Sequence, residues 1–219
     1  MKLLPGAAVL CVLLSGCTGL FHSSARPDQT YYLRAPGGAP APPATATAVE
    51  PGTRGSLRVE QAVSGPGLDS SHIMLVQADH RMNFYAGSRW PGTAPQVIGA
   101  LAVETLRASG AWDSVQDSTS PFPANYLLHI TLRRFDADYG GSAAAPEVHV
   151  LLDCTIGRRA GREVVASFMA QGTATAAADR MSDVVAAFEQ ATAAALTSMS
   201  QQAGEAVSAH AGHTDASVR

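Results

Sequence analysis

Charge is scarce in this chain: 15% of its 219 residues are Asp, Glu, Lys or Arg, and fifteen basic side chains against eighteen acidic ones leave a net charge of -3. Proteins that hold nucleic acid work through a positive field over the phosphates, and that field is missing. Beyond residue 35 no uninterrupted apolar stretch approaches the ~20 residues that cross a bilayer, and no fixed repeat period occurs. A multispan membrane protein and a solenoid are thereby excluded. Cysteine occurs at three positions, Cys11, Cys17 and Cys154, too few for a disulfide scaffold. The glycine pairs Gly37-Gly38 and Gly140-Gly141 lack the strand, helix and Lys that a phosphate cradle needs. H-E-x-x-H, G-x-S-x-G and C-x-x-C are absent as well, which argues against an enzyme, and no cofactor is expected.

The N-terminus carries the sharpest signal. Lys2 gives a positive end, Leu3 to Leu14 an apolar stretch, and Leu14-Ser15-Gly16-Cys17 a small-residue close, the layout of an export signal over residues 1–16. Twelve helical residues rise only ~18 Å against a hydrocarbon core of ~30 Å, so the segment cannot serve as a permanent span. Its last four residues resemble a bacterial lipobox, in which the Cys thiol is acylated before cleavage and the new N-terminus afterwards. Two or more acyl chains anchor a protein stably where one does not. Cys17 is therefore the expected lipid-attachment residue. An Asp after the acylated Cys usually retains such proteins at the inner membrane; Thr18 stands here, which implies the outer membrane, facing the periplasm. With Cys11 removed and Cys17 acylated, Cys154 is the one remaining thiol, and its place on the apolar side of a strand predicts burial.

Residues 17–30 are polar and aperiodic, a flexible tether. Tyr31-Tyr32-Leu33 is a short strand candidate that opens a single domain over 31–204. Within it, residues 35–55 are rich in Pro, Gly, Ala and Thr and read as an exposed loop. Leu57 and Val59 alternate with polar neighbours, Ile73 to Val76 mark a strand covered on both sides, and Arg81 to Tyr85 a further one. Thr93 and Gln96 form a T-x-x-Q capping box. It opens a helix whose Ala94, Val97, Ile98, Leu101, Ala102, Thr105 and Leu106 share a face, and Ser109-Gly110 closes it.

Three alternating strands follow, with Tyr126, Leu128, Ile130 and Leu132 apolar in the first, Val148 to Ile156 in the second, and Val164 to Ala170 in the third. A last helix over about Ser182 to Gln201 stripes Val185, Phe188, Thr192, Ala195, Leu196 and Met199; residues 205–219 read as a disordered tail. The pattern predicts an α+β fold: an antiparallel sheet of about six strands with two amphipathic helices packed on one face.

The helix-free face then carries the candidate surface chemistry. Symmetrical pairing of the first hairpin would set His129 opposite Asp153 and Arg133 opposite His149. A His–Asp pair can orient a general base, but no nucleophile or oxyanion donors accompany it, so ordinary cross-strand pairing is the reading. Arg81 to Trp90 gathers Phe84, Tyr85 and Trp90 beside two arginines just before a helix, a composition enriched where proteins meet partners. Phe84 and Trp90 also suit closure of the core. The candidate partner-binding set is Tyr85, Arg89, Trp90, His129 and Arg133. His210 and His213 have His-x-x-His spacing in the tail and are expected to stay solvated.

The lipobox, Tyr31-Tyr32-Leu33, Leu57-Arg58-Val59, Gly67-Leu68-Asp69, Tyr85-x-x-x-Arg89-Trp90, the helix with Leu101 and Leu106, and Tyr126-Leu127-Leu128 together resemble the ABC-type transport auxiliary lipoprotein family. The likeness covers nearly the whole mature chain up to the last helix. It implies a non-catalytic accessory that docks an MCE-domain protein and associated ABC transporter components, a system that carries lipids or other hydrophobic molecules between the membranes; a homo-oligomer is left open. The long Pro/Ala/Thr loop and the extended C-terminus depart from that pattern. A pilot lipoprotein of another envelope complex, or an envelope hydrolase, are the rival classes.

Overall fold

In the computed structural model residues 27–36, 54–140 and 144–216 are described, with side chains through Ala211. Cys17, the export signal and most of the Pro/Ala-rich loop lie outside the described residues. Among the described residues there are nine strands and two α-helices: β1 (Gln29–Thr30), β2 (Ser56–Val59), β3 (Val63–Ser64), β4 (His72–Val76), β5 (Met82–Arg89), α1 (Ala94–Ala108), β6 (Ser114–Gln116), β7 (Tyr126–Asp138), β8 (Glu147–Arg158), β9 (Glu163–Thr175) and α2 (Met181–Ala216). The α+β class and the two helices are as the periodicity predicts.

The sheet is built on β7. Its alternation buries Leu128, Ile130 and Leu132 on one face, and β8 pairs antiparallel along its whole length, followed by β9. Along its other edge run β2, β3 and β4 in succession, each parallel to it. β5 and β1 extend the sheet beyond β4, and β6 beyond β2. The sheet is thus mixed, not antiparallel throughout, and has nine strands where about six were expected. The extra strands β1, β3 and β6 are two or three residues long, too short to show a period of two. Parallel pairing arises because β5 and α1 carry the chain back to the end of the sheet from which β2 set out. The first strand forms at Gln29–Thr30 against Ser88 and Arg89 of β5, just ahead of Tyr31-Tyr32-Leu33.

Helix α1 begins as its capping box dictates, with Gln96 Oε1 accepting the Thr93 amide proton at 2.9 Å, and ends before Gly110, whose φ is +63°. Helix α2 outruns its expected end. Ala203 and Val207 are buried, so the apolar stripe continues past Gly204 and the expected disordered tail is helical to Ala216. The centre of the core is an aromatic triangle of Trp90, Phe135 and Phe188, with centroids 5.0 to 5.5 Å apart and edge-to-face or tilted rings. Trp90 is 1% exposed and so belongs to the core, whereas Phe84, expected to help close it, is 48% exposed.

Small residues let α2 come close to the sheet. Ala170, Gly172 and Ala174 on β9 face Ala187, Ala191 and Ala195 on α2, and all six are buried. A Cβ built on Gly172 would overlap the Ala191 carbonyl oxygen and sit 2.9 Å from the Ala195 nitrogen, backbone atoms that cannot swing aside. Gly172→Ala is therefore expected to destabilise by about 2–3 kcal/mol, read as a fall in the urea midpoint. Phe188→Ala should cost about 3–5 kcal/mol by opening the aromatic triangle, with a matching red shift of Trp90 emission. Cys154 is fully buried, and burial, helped by the Asp153 charge, pushes its thiol up to about 12. Iodoacetamide at about pH 8 should leave it unmodified in the folded protein and alkylate it in urea, which mass spectrometry reads directly.

Candidate docking face

One face of the sheet is covered by α1 and α2; the other is bare. Cross-strand partners share a face, so the strand register lists what the bare face presents. Through the three long strands it runs His129, Thr155 and Ser167, then Thr131, Asp153 and Met169, then Arg134, Leu151 and Gln171, then Asp136, His149 and Thr173. Asp136 continues sideways to Met74 and Phe84, and Asp138 to Val76 and Met82. The exposed apolar side chains of β5, Met82 and Phe84, thus stand on the same face as the polar rows, and Phe84 stacks on His72 at 4.6 Å.

The register differs from the expected one because the hairpin closes at Asp138 and Glu147, off the centre that symmetrical pairing assumed, and β7 also holds one residue more than β8 requires. Leu132 pairs with Leu152 and Arg134 with Leu151, leaving Arg133 in a bulge. His129 therefore lies opposite Thr155, not Asp153, and His149 opposite Asp136, not Arg133. The His–Asp arrangement that could have oriented a base does not form. Asp153 instead accepts from Arg133, through Nη2 at 2.6 Å and Nε at 3.2 Å on Oδ2. Next to it Arg134 spans two carboxylates, donating to Asp136 at 2.7 Å and Asp138 at 3.1 Å. The Asp138 carboxyl is held below its ordinary range, first by the Gly140 amide at 2.7 Å and also by Arg134. Its contribution to folding is present at neutral pH and is lost on acidification through that lowered value.

The expected partner-facing residues divide. His129 and Arg133 are exposed on the bare face. Arg89 pairs with Asp28 at 3.0 Å and ties β5 to the incoming chain. Tyr85 is half-buried on the other side of β5; its hydroxyl donates to Tyr139, which donates to Asp179 at the start of α2. Burial, with that hydrogen bond, raises the Tyr85 phenol, so it stays protonated. Trp90 is internal. Arg58 carries a role that alternation did not announce: its guanidinium donates to the carbonyls of Ser120 and Phe122 and pins the loop that leads into β7. The polar position of Arg58 in an alternating strand was the only trace of this. Among the described residues no group of three or more His, Cys, Asp or Glu side chains is arranged to hold a metal.

The fold has solved counterparts. XCC0632 from Xanthomonas campestris, a DUF330 protein, superposes with a TM-score of 0.62 at 22% identity, covering 80% of this chain and 96% of that one. An uncharacterised protein aligns at 0.60 with 14% identity, over 81% and 99%. A putative lipoprotein from Caulobacter crescentus aligns at 0.39 with 15% identity, over 70% and 91%. No curated protein matches the chain. The family model for the ABC-type transport auxiliary lipoprotein component matches residues 33–200, from the end of the incoming segment to the middle of α2. That span takes in the long β-strands and the aromatic triangle, and the chain belongs to the ABC-type transport auxiliary lipoprotein family.

Proposed function

We propose that this protein is an accessory of an ABC/MCE-type transport system that moves lipids or other hydrophobic molecules between the two membranes. Acyl chains on Cys17 hold it to the outer membrane, with its domain in the periplasm, and it acts by docking an MCE-domain protein and the transporter components associated with it. No catalytic step is assigned to it.

The observation that carries the docking reading is the bare sheet face. A sheet buried on one side leaves its second face either uniformly polar or fitted to something. Here Met82 and Phe84, each about half exposed, stand beside the Arg133–Asp153 pair and the exposed His129, the mixture of apolar anchor and polar rim found where proteins meet. Anchoring by acyl chains agrees with the described helices, none of which is long and apolar enough to cross a membrane.

Two measurements test this. Cys17→Ala is expected to move the protein from the membrane pellet to the soluble fraction and to abolish incorporation of labelled palmitate; continued sedimentation with membranes would remove the anchor. Phe84→Asp, a surface change expected to alter stability by no more than about 0.5 kcal/mol, should lower the yield of MCE-domain protein co-isolated in mild detergent. Equal recovery with the wild type and the variant would move docking off this face, and no recovery with either would favour a different envelope complex.

A further inference from the structure

Every basic side chain after Lys2 is an arginine, and their partners are unevenly shared. Arg81, Arg89, Arg133, Arg134 and Arg180 each lie within 3.0 Å of an aspartate. At the end of the sheet where β7 begins and β8 ends, the pattern reverses. Arg158, Arg159 and Arg162, on and around the β8–β9 turn, form no ion pair among the described residues, and Arg54 turns its Nε onto Ser208 Oγ at 3.1 Å. The nearest acidic side chain on the turn, Glu163, lies 3.6 Å from His210. A cleft of about 730 Å³ opens here, lined by Arg54, Asn125, Tyr126, Arg158, Arg159 and His210. Its walls come from the residues just before β2, the start of β7, the end of β8 and α2, and its arginines from the first and third of these, so two separate segments set guanidinium groups around one concavity.

We propose that this cleft receives an acidic segment of a partner protein, its Asp or Glu side chains bound by the guanidinium groups of Arg158 and Arg159 with Arg54 on the facing wall. Guanidinium forks match carboxylates in two-point geometry, and a concave site with several of them selects a chain bearing more than one negative charge. The concave shape disfavours a flat bilayer.

Position in the fold points the same way. β1 runs parallel to β5, so the incoming chain arrives from the Met82 end of β5, which pairs through Val76 with Asp138 at the far end of β7 from Tyr126. Thirteen residues of strand separate those ends by about 40 Å. The cleft therefore lies at the end of the sheet opposite the one from which β1 enters. This inference deepens the docking reading and rests on it for the existence of a partner protein.

The test uses the full-length acylated chain in a mild detergent and a short fluorescein-labelled peptide of alternating Glu and Gly, with binding read by anisotropy. Binding is expected at about 0.05 M salt and should weaken strongly at about 0.5 M. The double variant Arg158→Glu/Arg159→Glu should lose roughly tenfold or more in affinity, while Arg133→Glu on the bare face leaves it unchanged. Arg159→Gln, a milder surface change, should lose part of the affinity and covers the case in which the double variant misfolds. Absence of peptide binding, equal loss in the Arg133 variant, or no loss in the Arg159 variant overturns the proposal. So does Arg158/Arg159-dependent binding to phosphatidylglycerol vesicles without binding to the peptide. Peptide failure with the MCE-domain protein still recovered refutes the cleft alone; peptide binding with no such recovery refutes the transport partner alone.

Discussion

The close seating of α2 on β9 is the constraint from which the rest of the interior follows. Without a Cβ at Gly172, and with alanines on both sides, the helix axis lies near enough to the sheet for Phe188 to reach Trp90 and Phe135. Those three rings join the strand that precedes α1, the central strand and the last helix, parts of the chain about a hundred residues apart. Each ring buried is worth about 2–3 kcal/mol by transfer from water alone, so this contact sets the scale of the domain's stability. Burial of Cys154 on β8 follows from the same layer.

What the amino acids disclosed depended on the length of each element. The long strands and both helices carry enough turns or alternations for a period to stand out, and the capping box at Thr93 and Gln96 marks the start of α1 to the residue. β1, β3 and β6 form because a neighbouring strand offers unpaired backbone groups, a tertiary cause that no local pattern records. Helix α2 runs past Gly204 for a related reason: a glycine inside a helix costs only ~1 kcal/mol, and burial of Ala203 and Val207 outweighs it. The exposure of Phe84 and the burial of Trp90 were open to either reading from the sequence, because an aromatic side chain serves a core and an interface equally well.

The candidate surface was less legible than the fold. His129, Arg133 and Asp153 were rightly assigned to one face, since alternation alone decides that, but their pairing was not, since it depends on where the hairpin closes and on one inserted residue. Arg158, Arg159 and Arg54 are distant in the chain from one another or ordinary in a turn; only the sheet brings their cleft together. Arginines on the bare face are neutralised by aspartates and fix local geometry, whereas those at the sheet end hold charge in reserve. The arginines of the domain are thus paired on the bare face and without an ion pair around the cleft among the described residues.

The bulge at Arg133 was in fact written in the chain as a change of phase, with even-numbered apolar residues up to Leu132 and odd-numbered ones, Phe135 and Ala137, after it. It works like a frame marker in a two-letter text. Were the strand paired straight through Arg133 without the bulge, Phe135 would turn toward water and Asp136 and its counter-ion would be driven among the helices. The bulge is what lets both halves of β7 keep their apolar side chains on the helix side.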